Sequence, residues 1–198
     1  MAEILKDGTG SGYQMRIDGN NRAHVQAVTI PENEFATENE DSYNLNTGVI
    51  TLTSDSETPV MYVKNNDTRD LHIRAIAVGL GPTTGGSGGI PVIKMIRNPK
   101  DGTITSGSDI AVSSNRNFGS AKALVADQKV GATGLTMTGG TDHLILFQGA
   151  GDRLLASIDE VIPVGSTVGI TVTPQSGNTS MDVYAALICD LSDPAGAL

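Results

Sequence analysis

The chain has no tryptophan, a single cysteine and only 4% aromatic residues among its 198. Each scarcity removes options. With so few rings, one subunit must build its core from Val, Ile, Leu, Ala and Met, which bury less area per residue, so association with further copies would add stability. The lone Cys189 cannot close an internal disulfide; it reads as a small buried hydrophobe and leaves the redox compartment open. Cations are also short, with 13 Lys and Arg against 22 Asp and Glu and a net charge of −9. Nucleic acid is therefore not an expected partner, because binding it needs clustered cations that release phosphate counterions. No run approaches the roughly 18 apolar residues of a membrane span, and Met1 to Asp7 lacks a basic stretch leading into an apolar one. A soluble chain with no membrane partner and no export signal is expected.

A sustained 3.6-residue apolar period is missing as well, which argues against a helical fold. What is present is turn chemistry, with 24 Gly among many Ser, Thr, Asn and Asp, and a supply of Val, Ile and Thr for strands. The last third is the clearest. Val168, Ile170 and Val172 alternate with Gly169, Thr171 and Thr173, the period of a strand buried on one face and wet on the other. After the turn at Gly177 to Ser180, the final strand is apolar on both sides: Met181, Val183, Ala185, Leu187 and Cys189 on one, Tyr184, Ala186 and Ile188 on the other. A lone antiparallel sandwich keeps its outer face polar, so Tyr184, Ala186 and Ile188 are the expected oligomer interface.

Strands recur at sandwich spacing over Gly48 to Thr53, Val60 to Lys64, Leu71 to Val78, Ile90 to Arg97, His143 to Gln148, Arg153 to Val161, Thr167 to Thr173 and Met181 to Asp190. These eight suit an all-β fold, a jelly-roll-like antiparallel β-sandwich over residues 42–198. Residues 98–141 read as an elaborated crossover with a short helix near Ser120 to Gln128. Residues 1–41 read as an extended N-terminal arm and acidic linker. In the arm, strand-like pieces flank the turn Asp18-Gly19-Asn20-Asn21, a pattern of either a hairpin or a segment that pairs with another molecule. Between Ala23 and Val63 there is no Lys or Arg but seven Asp and Glu, and Pro31 to Ser42 reads as a solvated charged linker.

Chemical motifs are lacking. Gly79 to Gly89 follows a strand, yet no Lys-Ser or Lys-Thr comes after it and the next segment is a strand, so a mobile loop is expected rather than a phosphate cradle. The acidic run at Glu32 to Asp41 has oxygens for calcium but no turn glycine. His24, His72 and His143 lie far apart without Cys or a second His at ligand spacing. Asp152, Asp159 and Glu160 are the best acid/base pair candidates, but no indole is available to stack on a sugar. No catalytic, cofactor-binding or metal site is assigned, no cofactor is expected, and the chain is read as not an enzyme. Convergence of Asp142, His143 and Asp152 on one cavity would reverse that.

The stretch from Asp7 to Thr29, a Gly-rich start leading to Met-Arg-Ile-Asp-Gly-Asn-Asn-Arg-Ala, resembles the N-terminal segment of tailed-bacteriophage structural proteins. The run from Ile162 to Leu191 is similar to the last strands of virion proteins of the capsid decoration, cement or head-fibre kind. Ala23 stands where that family more often has Leu. The resemblance implies a homotrimer on the outer capsid surface of the virion, bound to the major capsid protein and doing no chemistry. It implies that Tyr13, Met15, Ile17, Arg22, His24 and Val25 of the arm touch the capsid. The competing expectation is a receptor- or carbohydrate-binding fibre or tail module that uses Gly79 to Gly89 and residues 98–141 as recognition loops.

Overall fold

The structure is a computed structural model that describes residues 32–86 and 88–192, and the backbone of Arg16–Ile17 and Ala23–His24. It divides into two units, residues 1–31 and 32–198. In the first, β1 (Arg16–Ile17) pairs antiparallel with β2 (Ala23–His24), Ile17 opposite Ala23. This is the pairing expected across the Asp18 to Asn21 turn. Tyr13, Met15, Arg22 and Val25 lie outside the described residues.

In the second unit, α1 (Glu32–Glu38) is followed by β3 (Ser42–Asn46), β4 (Ile50–Leu52), β5 (Thr58–Asn65), β6 (Asp70–Thr84) and β7 (Val92–Arg97). A short 3-10 turn at Thr103–Ser106, β8 (Val112–Asn115) and β9 (Ala126–Val130) come next, then β10 (Thr141–Phe147), β11 (Arg153–Ile162), β12 (Thr167–Thr173) and β13 (Ser180–Ser192). One sheet has the order β11-β6-β13-β3-β8, with β4 also on β13; the other has the order β10-β7-β12-β5-β9. Leaving aside β8 and β9, the chain switches sheet at every step except β7 to β10. With β3 and β4 counted as one broken strand, this is the wiring of a jelly roll, as the sequence predicts.

Both sheets contribute to one core, which includes Leu45, Ile73, Ile76, Val78 and Leu187 from the first and Val63, Ile93, Ile170 and Val172 from the second. Among the described residues no helix is long and apolar enough to cross a membrane. The broken strand has a local cause. Asn46 pairs with Ala186 and Ile50 with Val183, so β3–β4 carries one extra residue, and Gly48 takes φ 71° to absorb it. Thr47 keeps the ladder intact: its amide donates to the Ala185 carbonyl at 3.0 Å, and the Ala185 amide donates to its hydroxyl at 3.0 Å.

Five expectations are corrected. The strand at Gly48 to Thr53 shrinks to β4, and β3 precedes it. Pro31 to Ser42 is not merely a solvated linker. It contains α1, which buries Ala36, ends with the Asn39 side-chain amide donating to the Phe35 carbonyl at 2.8 Å, and stops at Glu40 with φ 63°. The acids of its first turn favour a helix N-terminus, and the compact unit starts at Glu32. No helix forms at Ser120 to Gln128, where β9 adds to the edge of β5. Gly79 to Thr84 continues β6 instead of opening a loop, because Tyr184 and Asp182 of β13 pack where side chains at Gly79 and Gly81 would stand. Finally, Gly169 and Thr171 are not wet. Met137 of the 98–141 excursion lies over Gly169, and the Thr171 hydroxyl donates to Glu57 at 2.7 Å.

That excursion closes one side of the sandwich. β8 extends one sheet beside β3, β9 extends the other beside β5, and Asp109 bridges to Lys129 between them. Asp41 ties the same side together: Arg69 donates to it bidentately at 2.6 and 2.8 Å, and Lys122 of the excursion also donates to it. The Arg69 hydrogen bonds hold its carboxyl below the usual carboxylate value, with Lys122 adding to the effect against the opposing cost of burial. Replacement of Asp41 with Asn should cost about 1.5–3 kcal/mol, the range for hydrogen bonds to charged groups. Because the folded value is the lower one, this contribution is complete above roughly pH 4, the unfolded carboxylate value, and disappears as pH falls through the folded value. Chemical denaturation of both forms from neutral to acid pH should show their gap closing only in acid.

Candidate functional site

The outer face of the β11-β6-β13-β3-β8 sheet is built from small and apolar residues in register. Leu155, Ala77, Ala186, Asn46 and Val112 form one row, and Ser157, Ala75, Ile188, Asn44 and Ser114 the next. The third row begins Arg153, Gly79, Tyr184. Tyr184 lies flat across β6, since a methyl group on Gly79 would stand 1.9 Å from its ring. The three residues expected at an oligomer interface, Tyr184, Ala186 and Ile188, thus sit side by side mid-sheet, each half-buried in the single chain. Leu155 at the margin is 70% exposed.

The opposite sheet treats its outer face differently. Tyr62, Gly169 and Ile96 share a row across β5, β12 and β7, and all three are buried. Their cover comes from the chain itself, through the 98–141 excursion that seats Met137 and buries Ile104. The excursion reaches the other face only at its edge, where β8 and Phe118 stand. Phe118 is fully exposed and shares a hollow of about 330 Å³ with Asn44, Ser114, Asn115, Arg116 and Ile188.

Charge borders this face. Arg74 of β6 donates to Asp190 of β13 at 2.8 Å and to Asp159 of β11 at 2.9 Å, joining three neighbouring strands on the side where α1 packs. The Asp190 side chain is 2% exposed, and its Oδ1 has no protein partner. Behind the face, Cys189 is fully buried, and burial pushes its thiol well above the usual value, which disfavours the thiolate.

Of the residues singled out for chemistry, His143, Asp159 and Glu160 line one hollow of about 360 Å³, whereas Asp142, His143 and Asp152 do not meet around one cavity. His143 Nε2 is 2.8 Å from Glu160 Oε1, Asp142 pairs with Lys94 at 3.2 Å, and Asp152 lies apart, in a hollow beside Gly79 and Tyr184. Among the described residues no cluster of His, Cys, Asp or Glu is placed to hold a metal. The proposed recognition loops are largely consumed by structure, with Gly79 to Thr84 in β6 and 98–141 packed on the sandwich. Of the arm positions, Ile17 and His24 are placed only as backbone partners in β1 and β2. Comparison with known proteins finds no matching family model and no significant match among curated proteins or solved structures.

Sequence reasoning missed the aromatic distribution. All three phenylalanines of the chain are exposed, Phe35 at 57%, Phe118 at 103% and Phe147 at 71%. No phenylalanine enters the core, to which Tyr43 contributes a ring. For Phe147 the signal was available, because Leu144-Ile145-Leu146-Phe147 is apolar on both faces in the same way as the final strand.

Two substitutions probe the face. Gly79→Ala should cost about 1–3 kcal/mol by overpacking and turn the Tyr184 ring outward, which differential scanning calorimetry and tyrosine emission quenching can read without interference from tryptophan. Arg74→Met should cost about 3–5 kcal/mol, since it strands the buried Asp190 carboxylate, and thermal denaturation will measure that loss.

Proposed function

We propose that this chain is a non-enzymatic building block of a virion shell: a trimer that decorates the outer capsid surface by binding the major capsid protein. The observation that carries this reading is an outer sheet face whose two central rows hold no charge and set Leu155, Ala77, Ala186, Ala75 and Ile188 among Ser and Asn, still partly exposed among the described residues. A jelly roll in isolation gains nothing from such a face, whereas identical copies that bury it do. The resemblance of Asp7 to Thr29 and Ile162 to Leu191 to phage decoration proteins supplies the setting. Tyr13, Met15, Ile17, Arg22, His24 and Val25 then serve as the arm that meets the shell. Extended segments can add to a neighbour's sheet edge, and many such contacts across a lattice sum to a strong hold.

Light scattering on the purified full-length chain should give the mass of three chains, and tandem mass spectrometry of intact particles should count it at a ratio to shell protein set by capsid symmetry. The paired substitution Met15→Asp, Ile17→Asp should abolish particle binding while the three-chain mass persists. A monomer with a few copies per particle and affinity for host glycans would instead establish the fibre or tail reading.

A further inference from the structure

The 98–141 excursion leaves the sandwich and rejoins it at one neck. The chain quits β7 after Arg97 through Asn98, at φ 52°, and enters β10 through Gly140, at φ 82°, so that Thr141 stands opposite Arg97. Backbone hydrogen bonds close the neck: the Lys100 amide donates to the Thr138 carbonyl at 2.9 Å, and the Thr138 amide to the Asp101 carbonyl at 2.7 Å. A methyl group on Gly140 would stand 2.6 Å from the Arg97 carbonyl, so only glycine fits there. Just beyond, β10 bulges, with Asp142 opposite Ile96, Leu144 opposite Met95 and His143 as the extra residue. Between these pieces lies a hollow of about 460 Å³.

Its charges are arranged unlike those elsewhere in the molecule. Arg69, Arg74, Lys94, Lys122 and Lys129 each hold a carboxylate. Lys64 stands opposite Asp127, Arg116 donates to Ser42, and Arg153 shares a hollow with Asp152 and Asp182. Arg97 and Lys100 instead line the neck hollow together, and neither side chain has an ion pair or hydrogen bond among the described residues. The carboxylate in that lining, Asp142, is engaged by Lys94 at 3.2 Å. Glu160 and Asp159 stand in the adjoining hollow, where His143 and Arg74 engage them. The neck thus keeps two uncompensated positive charges in a chain with 22 Asp and Glu and a net charge of −9. An acid placed between them would relieve their repulsion, and none is. The pair is left to an anion from outside, which the local field draws in and which need displace no internal partner.

The donors narrow the choice of anion. Beside the guanidinium and the ammonium stand the Thr141 hydroxyl and the Nδ2 of Asn98, whose Oδ1 accepts from the Thr167 amide at 3.4 Å. A carboxylate brings a single charge and two oxygens, too few for this set. A phosphate group brings more oxygens and about two negative charges near neutral pH, matching two uncompensated cations and the fork of a guanidinium. We propose that the neck of the excursion binds a phosphate group between Arg97 and Lys100, with Asn98 and Thr141 completing its hydrogen bonds. The site lies on the sheet opposite the face assigned to assembly and does not depend on that assignment.

Equilibrium dialysis of the full-length chain against radiolabelled inorganic phosphate, at an ionic strength fixed with sodium chloride, tests it. One saturable site per chain is expected, with sulfate competing and acetate not. Arg97→Gln and Lys100→Gln, both at exposed positions, should each weaken binding at least about tenfold while circular dichroism stays unchanged. Arg153→Gln, which removes an equal charge from the other sheet, should leave it intact. Absence of saturable binding would overturn the inference. So would displacement by acetate as readily as by sulfate, or an Arg153→Gln loss equal to that of Arg97→Gln, which would mean diffuse attraction without a site. None of these results moves the light-scattering mass, so failure here is separable from failure of the assembly reading.

Discussion

A two-sheet sandwich has four faces and one core, so two faces must be solvated, covered by the chain or covered by something else. This molecule solves the problem twice, in different ways. On the β10-β7-β12-β5-β9 sheet, the long excursion between β7 and β10 lies over Tyr62, Gly169 and Ile96 and removes them from water. On the other sheet, no excursion among the described residues lies over Tyr184, Ala186, Ile188 and Leu155. The residue choices follow: a Gly and two Ala on β6 keep that face flat enough for another surface to approach.

Charge placement makes the same distinction. The ion pairs stand at the borders, where Asp41 with Arg69 and Lys122 secures the closed side, and Arg74 with Asp159 and Asp190 borders the open face. Between them lie rows nearly free of charge in a strongly acidic protein. Hydrophobic burial is non-directional, and electrostatic exclusion is what confines it to particular places.

Much of the fold was legible because strands write their environment at period two. Seven strands, the doubly apolar β13 among them, could be read from spacing alone. What escaped was set by tertiary contacts. Gly169 and Thr171 look wet in sequence and are dry because Met137 and Glu57, both distant in the chain, lie over them. Gly79 and Gly81 look like a loop and form strand because Tyr184 and Asp182 need the room. α1 looked like linker because its helical signal is one turn of acids and a single buried Ala36. For the candidate site, Tyr184, Ala186 and Ile188 were readable, but the neighbours that complete their face, Leu155 and Phe118, come from strands and loops that only the sheet order brings alongside.

Hydroxyl-radical footprinting of the full-length protein, read residue by residue by mass spectrometry, tests the central claim most directly. In the single chain Leu155 is 70% exposed and Ile90, away from the face, 59%, so unassembled protein would label Leu155 at least as readily as Ile90. If copies cover the face, Leu155, Tyr184 and Ile188 will be protected while Ile90 and Val125 label freely. Labelling of Leu155 and Tyr184 at the rate of open side chains would contradict the account.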